Sequence, residues 1–264
     1  MTDGYAENLK VALYAATGGR KTLQIAKLIQ RVGAENVGII SCEGGLSTIA
    51  SLVVPEQVER VNSIDELAAA ASKMRKTYGR PDQWICVDGG SRVLQWFQER
   101  IWGSVDTVYR KLLEGTKPSE LDETLRPYAI FVTKGGEVNT QGMWVRLGSD
   151  CTRLFNSFVR QPASIYWTFW EELTNTDQYT KGFPWKPDTP GKGALDAIKG
   201  SFDFIGRLTP GEGSATAHFN DASKVYYAKR RDDWNAGIRV PDEIRSFDLG
   251  DFVERLRGTG WPNS

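Results

Sequence analysis

Four residues in the first third of the chain could together do phosphate chemistry: Lys21, Thr22, Glu43 and Asp88. Lys21 and Thr22 close a glycine-bearing turn, Ala16-Thr17-Gly18-Gly19-Arg20, that follows an apolar run over residues 9–15. Such a turn offers successive backbone N–H groups to an anion, and the helix behind it adds the partial positive charge of its N-terminus. A lysine there reaches β- and γ-phosphates, and the adjacent hydroxyl holds Mg²⁺. Val37-Gly38-Ile39-Ile40-Ser41 is followed closely by Glu43, and Trp84-Ile85-Cys86-Val87 ends in Asp88. An aspartate in that place orients Mg²⁺ directly or through water, and a glutamate after the neighbouring strand can polarise a water as general base. The candidate phosphate-contacting set is Ala16, Thr17, Gly18, Gly19, Arg20, Lys21, Thr22 and Asp88, with Thr22 and Asp88 toward the metal. Each acid alone also reads as an ordinary turn residue after a strand; their order behind Lys21-Thr22 is what joins them.

The loop departs from the usual G-x-x-x-x-G-K-[ST] pattern. Ala15 and Arg20 stand at the two glycine positions, and Gly18 and Gly19 supply flexibility inside the turn instead. The position before the lysine approaches the phosphates closely, often with a backbone angle that suits glycine. Arg20 there strains the loop, shifts its register, or brings a second cation to the phosphates.

Positioning these groups requires a sheet whose strands all point the same way. Short apolar runs alternating with helical patterns predict a parallel sheet with functional groups at the carboxyl ends of its strands. A helix is expected from Thr22 to about Arg31, closed by Gly33. A second should run from Ile64 to about Tyr78, with Ser63 as N-cap and Glu66 three positions on, a capping-box pattern. A third carries Val93, Leu94, Trp96 and Phe97, and Met143 to Val159 is helical again. Ser164-Ile165-Tyr166-Trp167-Thr168-Phe169 reads as a further strand, followed by Trp170-Glu171-Glu172. Residues 102–142 are polar, hold Pro118 and Pro127, and are expected to form an inserted surface element. One α/β domain over residues 1–264 is expected, with that insertion and a short C-terminal extension over about 238–264.

Composition narrows the chemistry. Lys plus Arg and Asp plus Glu both number 33, so no global field draws the chain to nucleic acid or an anionic membrane, and any polyanion site must be local. The single histidine, His218, argues against histidine-rich metal sites and Ser-His-Asp catalysis, which need imidazole as ligand or base. Cys42, Cys86 and Cys151 cannot all pair, and reduced thiols are the simplest account. No apolar run approaches the roughly 20 residues that span a bilayer. The start, MTDGYAENLK, lacks the basic-then-apolar pattern of a signal peptide. These features point to the cytoplasm and to no membrane partner.

The order of phosphate loop, Glu43, Asp88 and a later strand ending in a polar position resembles the RecA-fold P-loop ATPases, in which an added strand lies between the phosphate-loop strand and the Walker B strand. More narrowly, the chain looks like the small RecA-like ATPases of bacteriophages, the Sak-type single-strand annealing group. The residues carrying this are Ile40-Ser41-Cys42-Glu43-Gly44-Gly45-Leu46, Pro187-Asp188-Thr189-Pro190-Gly191-Lys192, Phe202-Asp203-Phe204-Ile205-Gly206-Arg207-Leu208 and Tyr226-Tyr227-Ala228-Lys229-Arg230-Arg231. The resemblance implies an α/β, RecA-like core with a mostly parallel central sheet flanked by helices. It implies ATP and Mg²⁺ as ligands and ATP hydrolysis as the activity. Lys21 and Thr22 match the loop lysine and the Mg²⁺-linked hydroxyl, Glu43 the catalytic glutamate and Asp88 the Walker B acid. Glu171 falls near the position that senses the γ-phosphate.

The same resemblance makes Lys229, Arg230 and Arg231 the basic finger that enters a neighbouring subunit's site, which implies a homo-oligomer, ring or filament, with sites between subunits. The alternative is a solvated basic strand end. Residues 174–201 fall where the family faces DNA. Lys181, Phe183, Trp185, Lys186 and Lys192 interleave cations with rings, as single-strand binding does. Pro184, Pro187 and Pro190 equally suit a rigid loop without a ligand. Three readings follow: an ATP-dependent protein acting on single-stranded DNA in phage recombination, annealing or replication, with a single-strand-binding protein as a possible partner; a RecA-fold ATPase for remodelling or assembly; and a non-hydrolysing nucleotide-binding scaffold.

Overall fold

The computed structural model describes residues 8–133, 135–173, 185–211, 214–220, 227–231 and 239–259. Its strands are β1 (Lys10–Ala15), β2 (Val37–Ser41), β3 (Val58–Arg60), β4 (Trp84–Asp88), β5 (Ser164–Leu173), β6 (Trp185–Pro187), β7 (Phe204–Pro210), β8 (Ala215–His218) and β9 (Glu243–Ile244). Its helices are α1 (Lys21–Val32), α2 (Ile64–Tyr78), α3 (Gly90–Leu113), α4 (Thr140–Val159), α5 (Lys192–Ser201) and α6 (Leu249–Glu254).

β1, β2 and β4 bury nearly every residue, so the two-residue period of a strand separates two cores rather than core from solvent. Ala12, Tyr14, Ile40, Ile85, Val87, Ile165, Trp167 and Phe169 face one side, where α2, α3, α4 and α5 cover them. Val11, Leu13, Val37, Ile39, Trp84, Cys86 and Tyr166 face the other, under α1 and α6. The result is a three-layer α/β/α architecture. The sheet order is β3-β2-β4-β5-β1-β7-β8-β9, with β6 paired to β5. All pairs from β3 to β7 along that path are parallel, while β8, β9 and β6 join antiparallel. β5 therefore lies between β1 and the Asp88 strand β4, the added-strand layout expected of a RecA-like core.

Local signals explain the helices. Gly33 closes α1 with φ 89°, and Ser63 Oγ accepts the Glu66 N–H at 3.2 Å at the start of α2. The Glu66 carboxylate reaches one residue further back than a capping box requires and accepts the Asn62 N–H at 2.7 Å. Gln24, on the buried side of α1, accepts the Leu249 N–H at 3.0 Å and donates to Phe247 O at 3.3 Å, tying α1 to the start of α6.

Two stretches differ from expectation. α3 continues to Leu113, so the polar stretch from Trp102 begins as helix, with Val105 and Val108 buried on the same face as Val93 and Leu94. Beyond it, Leu121, Tyr128 and Phe131 are buried against α3 and α4, anchoring two short 3₁₀ turns. The stretch read as a loop over residues 174–201 includes β6 and α5, and Gly193 packs backbone to backbone against Gly148 of α4. Among the described residues, no helix is long and apolar enough to cross a membrane.

Candidate nucleotide-binding site

β1 ends at Ala15, residues 16–20 turn, and α1 starts at Lys21. Gly19 donates its N–H to Ala16 O at 3.0 Å, and a Cβ at Gly19 would lie 2.4 Å from Ala15 Cβ, so packing requires glycine there. Gly18 has φ 77°. Arg20, directly before the helix, holds φ 63° and ψ 24°, the left-handed conformation that an L side chain disfavours. Of the three outcomes open for this position, strain in the backbone is therefore present. Lys21 Nζ donates to Ala15 O at 2.9 Å and Ala16 O at 3.3 Å, folded over the mouth of its own turn.

The period of β4 puts Asp88 on the α1 face, two residues beyond Cys86, and there it meets the first turn of α1. Thr22 Oγ1 donates to Asp88 Oδ2 at 3.1 Å, and Thr168 Oγ1 donates to Asp88 Oδ1 at 2.8 Å. Gly45 lies over this pair, where a Cβ would sit 3.1 Å from Thr22 Oγ1 and 3.2 Å from Asp88 Oδ2. Glu43 follows β2, with its backbone carbonyl accepting from Ser41 Oγ at 2.6 Å. Trp170 Nε1 donates to Glu43 Oε2 at 3.0 Å, and Glu43 Oε1 is buried without a hydrogen-bond partner among the described residues. Gly89, with φ 104°, runs beside this carboxylate, and a Cβ would come within 2.8 Å of Oε1. Lys21, Thr22, Glu43 and Asp88 thus come together from three strand ends and one helix start.

Their electrostatics follow from burial. Desolvation pushes the Asp88 carboxyl above its ordinary range, against the opposing pull of the Thr168 and Thr22 hydrogen bonds and of Lys21. Burial and the nearby Asp88 charge raise Glu43, opposed by the Trp170 bond and Lys21. Burial lowers Lys21, opposed by Glu43, Asp88 and Glu171. Glu171 is therefore close enough to act on the lysine, and it is ion-paired with Arg207 Nε across the end of β1. Arg207 also lies 4.5 Å over the Trp185 ring.

Among the described residues no three His, Cys, Asp or Glu side chains form a group able to hold a metal. The donor set here is one hydroxyl and one carboxylate side by side, with the space above them kept by Gly45. That set fits Mg²⁺, which takes one or two protein oxygens and completes its shell with phosphates and water.

The other candidates lie elsewhere. Lys229 forms a bridge to Ile205, donates to Lys199 O at 2.8 Å, and also bonds Phe202 O. Arg230 pairs with Asp242, and Arg231 with Asp203 at 3.1 Å. Asp203 donates its N–H to Lys10 O, so Arg231 sits at the start of β1, about 17 Å from the turn at that strand's other end. Within one protomer these cations do not meet Lys21. Lys186 in β6 pairs with Glu172, and Lys192 opens α5. Lys181 and Phe183 lie outside the described residues.

Sequence reasoning passed over Thr168, Trp170, Tyr166 and Gly45 as site residues. Tyr166 donates from its buried hydroxyl to Lys21 O at 3.1 Å. The available signal was Thr168, the one non-aromatic residue in the run from Tyr166 to Trp170 of β5.

No family model matches the chain, and no curated protein matches it. Among solved structures it is similar to a prototypical ATPase from the type III secretion system of pathogenic bacteria, at 13% identity over 77% of this chain, with a TM-score of 0.42. The chain covers 51% of that protein, about half its length. It is also similar to the RadB recombinase, at 13% identity over 81% of both chains, with a TM-score of 0.43.

Proposed function

We propose that this chain binds Mg²⁺–ATP through residues 16–20, Lys21, Thr22 and Asp88, hydrolyses it with Glu43 as general base, and acts as an oligomer on single-stranded DNA. The observation that carries the reading is the convergence of Lys21, Thr22, Glu43 and Asp88, including two carboxylates whose charged forms burial disfavours. Folding alone does not call for such a set, and perturbed groups converging at strand ends are a mark of functional sites.

In the reaction, Lys21 exchanges the Ala15 and Ala16 carbonyls for phosphate oxygens. Glu43 Oε1 takes a proton as the water oxygen bonds to the γ-phosphorus. The bond from that phosphorus to the β–γ bridging oxygen breaks, giving ADP and inorganic phosphate, and the proton leaves Glu43 to solvent. Mg²⁺, when bound by Thr22 and Asp88, offsets the charge on the β- and γ-phosphates.

Lys229, Arg230 and Arg231, far from the loop of their own protomer, would serve the site of a neighbour, making assembly a condition of turnover. The DNA part of the reading rests on the resemblance and on the mixture of rings and lysines at Lys181, Phe183, Trp185, Lys186 and Lys192. A place in phage recombination or annealing rests on the resemblance as well, and a cytoplasmic setting on the unpaired thiols and the absence of a long apolar run.

One observation favours a non-hydrolysing scaffold instead: the left-handed Arg20 in the loop. ATP hydrolysis by the purified chain, with and without single-stranded DNA, separates the two when run beside Glu43→Gln and Lys21→Ala. DNA-stimulated turnover that Glu43→Gln abolishes, and nucleotide binding that Lys21→Ala abolishes, are the expected results. Binding without turnover favours the scaffold, and binding unchanged by Lys21→Ala overturns the phosphate-loop assignment.

A further inference from the structure

Three features converge on the Glu43 carboxylate. The Trp170 indole comes from the end of β5, two strands away from β2, and donates to Oε2 at 3.0 Å. The other oxygen, Oε1, lies buried beside the bare backbone of Gly89, where a Cβ would come within 2.8 Å of it. Trp170 is itself held from both sides: its N–H donates to Ser91 Oγ at 2.9 Å, and its carbonyl accepts the Asp188 N–H at 2.8 Å. Ser91 in turn donates to Asp188 O at 2.8 Å, joining the start of α3 to the end of β6. The backbone that carries the indole is thus held, and the indole has two rotatable bonds where the glutamate has three and a broad terminal torsion.

We propose that Trp170 is a positioning residue for the general base: it commits Oε2 of Glu43 to the indole N–H, so that Oε1 alone is left to accept a proton from the attacking water. This rests on the reading of Glu43 as general base. The carboxylate has two chemically equal oxygens, and only one can be aligned with water and phosphorus at once, so fixing the rotamer removes an unproductive state before substrate arrives. The indole also steadies the ionised form through a charge-assisted hydrogen bond, keeping the base competent despite its burial.

The test uses the full chain with ¹⁵N-labelled tryptophan. The Trp170 indole resonance, assigned through its own backbone, is compared between the wild type and Glu43→Gln. A neutral amide oxygen is a weaker acceptor, so the resonance should move upfield and its proton should exchange faster with solvent. Turnover provides the second arm. Trp170→Phe, which keeps a ring and removes the donor, should lower kcat about ten- to a hundredfold with KM and ATP affinity unchanged. An indole signal unmoved by Glu43→Gln overturns the proposal, as does a Trp170→Phe loss that appears in KM rather than kcat. The indole comparison needs neither turnover nor a folded Trp170 variant. Absence of turnover in the wild type counts against the general base, and an unmoved indole counts against Trp170.

Discussion

Thr168 and Asp88 share a 2.8 Å hydrogen bond from hydroxyl to Oδ1, and the same hydroxyl oxygen receives the Gly89 N–H at 2.9 Å. One side chain of β5 therefore orients the Asp88 carboxylate and satisfies the turn that follows it. Thr168→Val keeps the shape but leaves the buried Gly89 N–H unpaired and Asp88 Oδ1 with only the longer 3.3 Å contact from Thr22 Oγ1. The expected cost is about 2 kcal/mol in chemical denaturation, recovered by Thr168→Ser, which retains the hydroxyl.

Burial raises both Asp88 and Glu43 above their ordinary carboxyl range, so the folded state holds protons more tightly than the unfolded chain. The sign follows: their contribution to stability is present in full below the unfolded carboxyl pKa and is lost as pH rises through the raised values. In the absence of nucleotide and divalent cation, denaturation midpoints should fall over that acid-to-neutral window. Asp88→Asn should flatten the trend and stabilise the chain at neutral pH by about 1 kcal/mol, while weakening Mg²⁺-dependent nucleotide binding. A midpoint that rises with pH through the window would contradict this.

Arg20 carries a left-handed backbone at the junction of turn and helix. Glycine adopts that conformation without a Cβ penalty but has more freedom to lose on folding, so the two effects partly cancel. Arg20→Gly is expected to stabilise the chain by about 0.5 kcal/mol, and Arg20→Ala to leave the strain in place. Thermal melts of the two variants, compared with the wild type, check the difference.

Glu171 and Arg207 join β5 to β7 across the end of β1, and their side chains are only 6% and 17% exposed. Arg207→Met leaves the Glu171 carboxylate buried without its cation and also removes the guanidinium from the Trp185 ring. It should cost about 3 kcal/mol or more, and much of that loss should return in the double variant Arg207→Met, Glu171→Leu. Urea denaturation of the single and double variants reads both numbers.

The strands that carry Glu43 and Asp88 were legible because the runs before them are short and almost wholly apolar, as buried strands are. β2 and α2 fall on the bounds the pattern predicts, and Ser63 with Glu66 marks the start of α2. β3 escaped notice because Val58-Glu59-Arg60 is three residues long and half polar, and only its pairing with β2 makes it a strand. The continuation of α3 past Trp102 escaped although Ile101, Val105 and Val108 keep the spacing of one helix face, because the polar residues among them and the prolines beyond outweighed that period. The supports around the site, Thr168 on Asp88 and Trp170 on Glu43, are contacts between residues 80 and 127 positions apart. No local spacing encodes such pairs; only the sheet order brings them together.

The placement of β5 between β1 and β4 has a consequence for how the protein breathes. Its amides, with those of β1 and β4, are paired on both sides and covered by helices on both faces, so they can meet solvent only when the whole sheet opens. The edge strands β3 and β9 can fray by themselves. Hydrogen–deuterium exchange should therefore divide the molecule, with the slowest protons directly beneath Asp88 and Thr168 and the fastest at the two margins. The floor of the candidate site and the cooperative unit of the fold are the same object, and only the turn and the glycine-lined rim are free to change without undoing it.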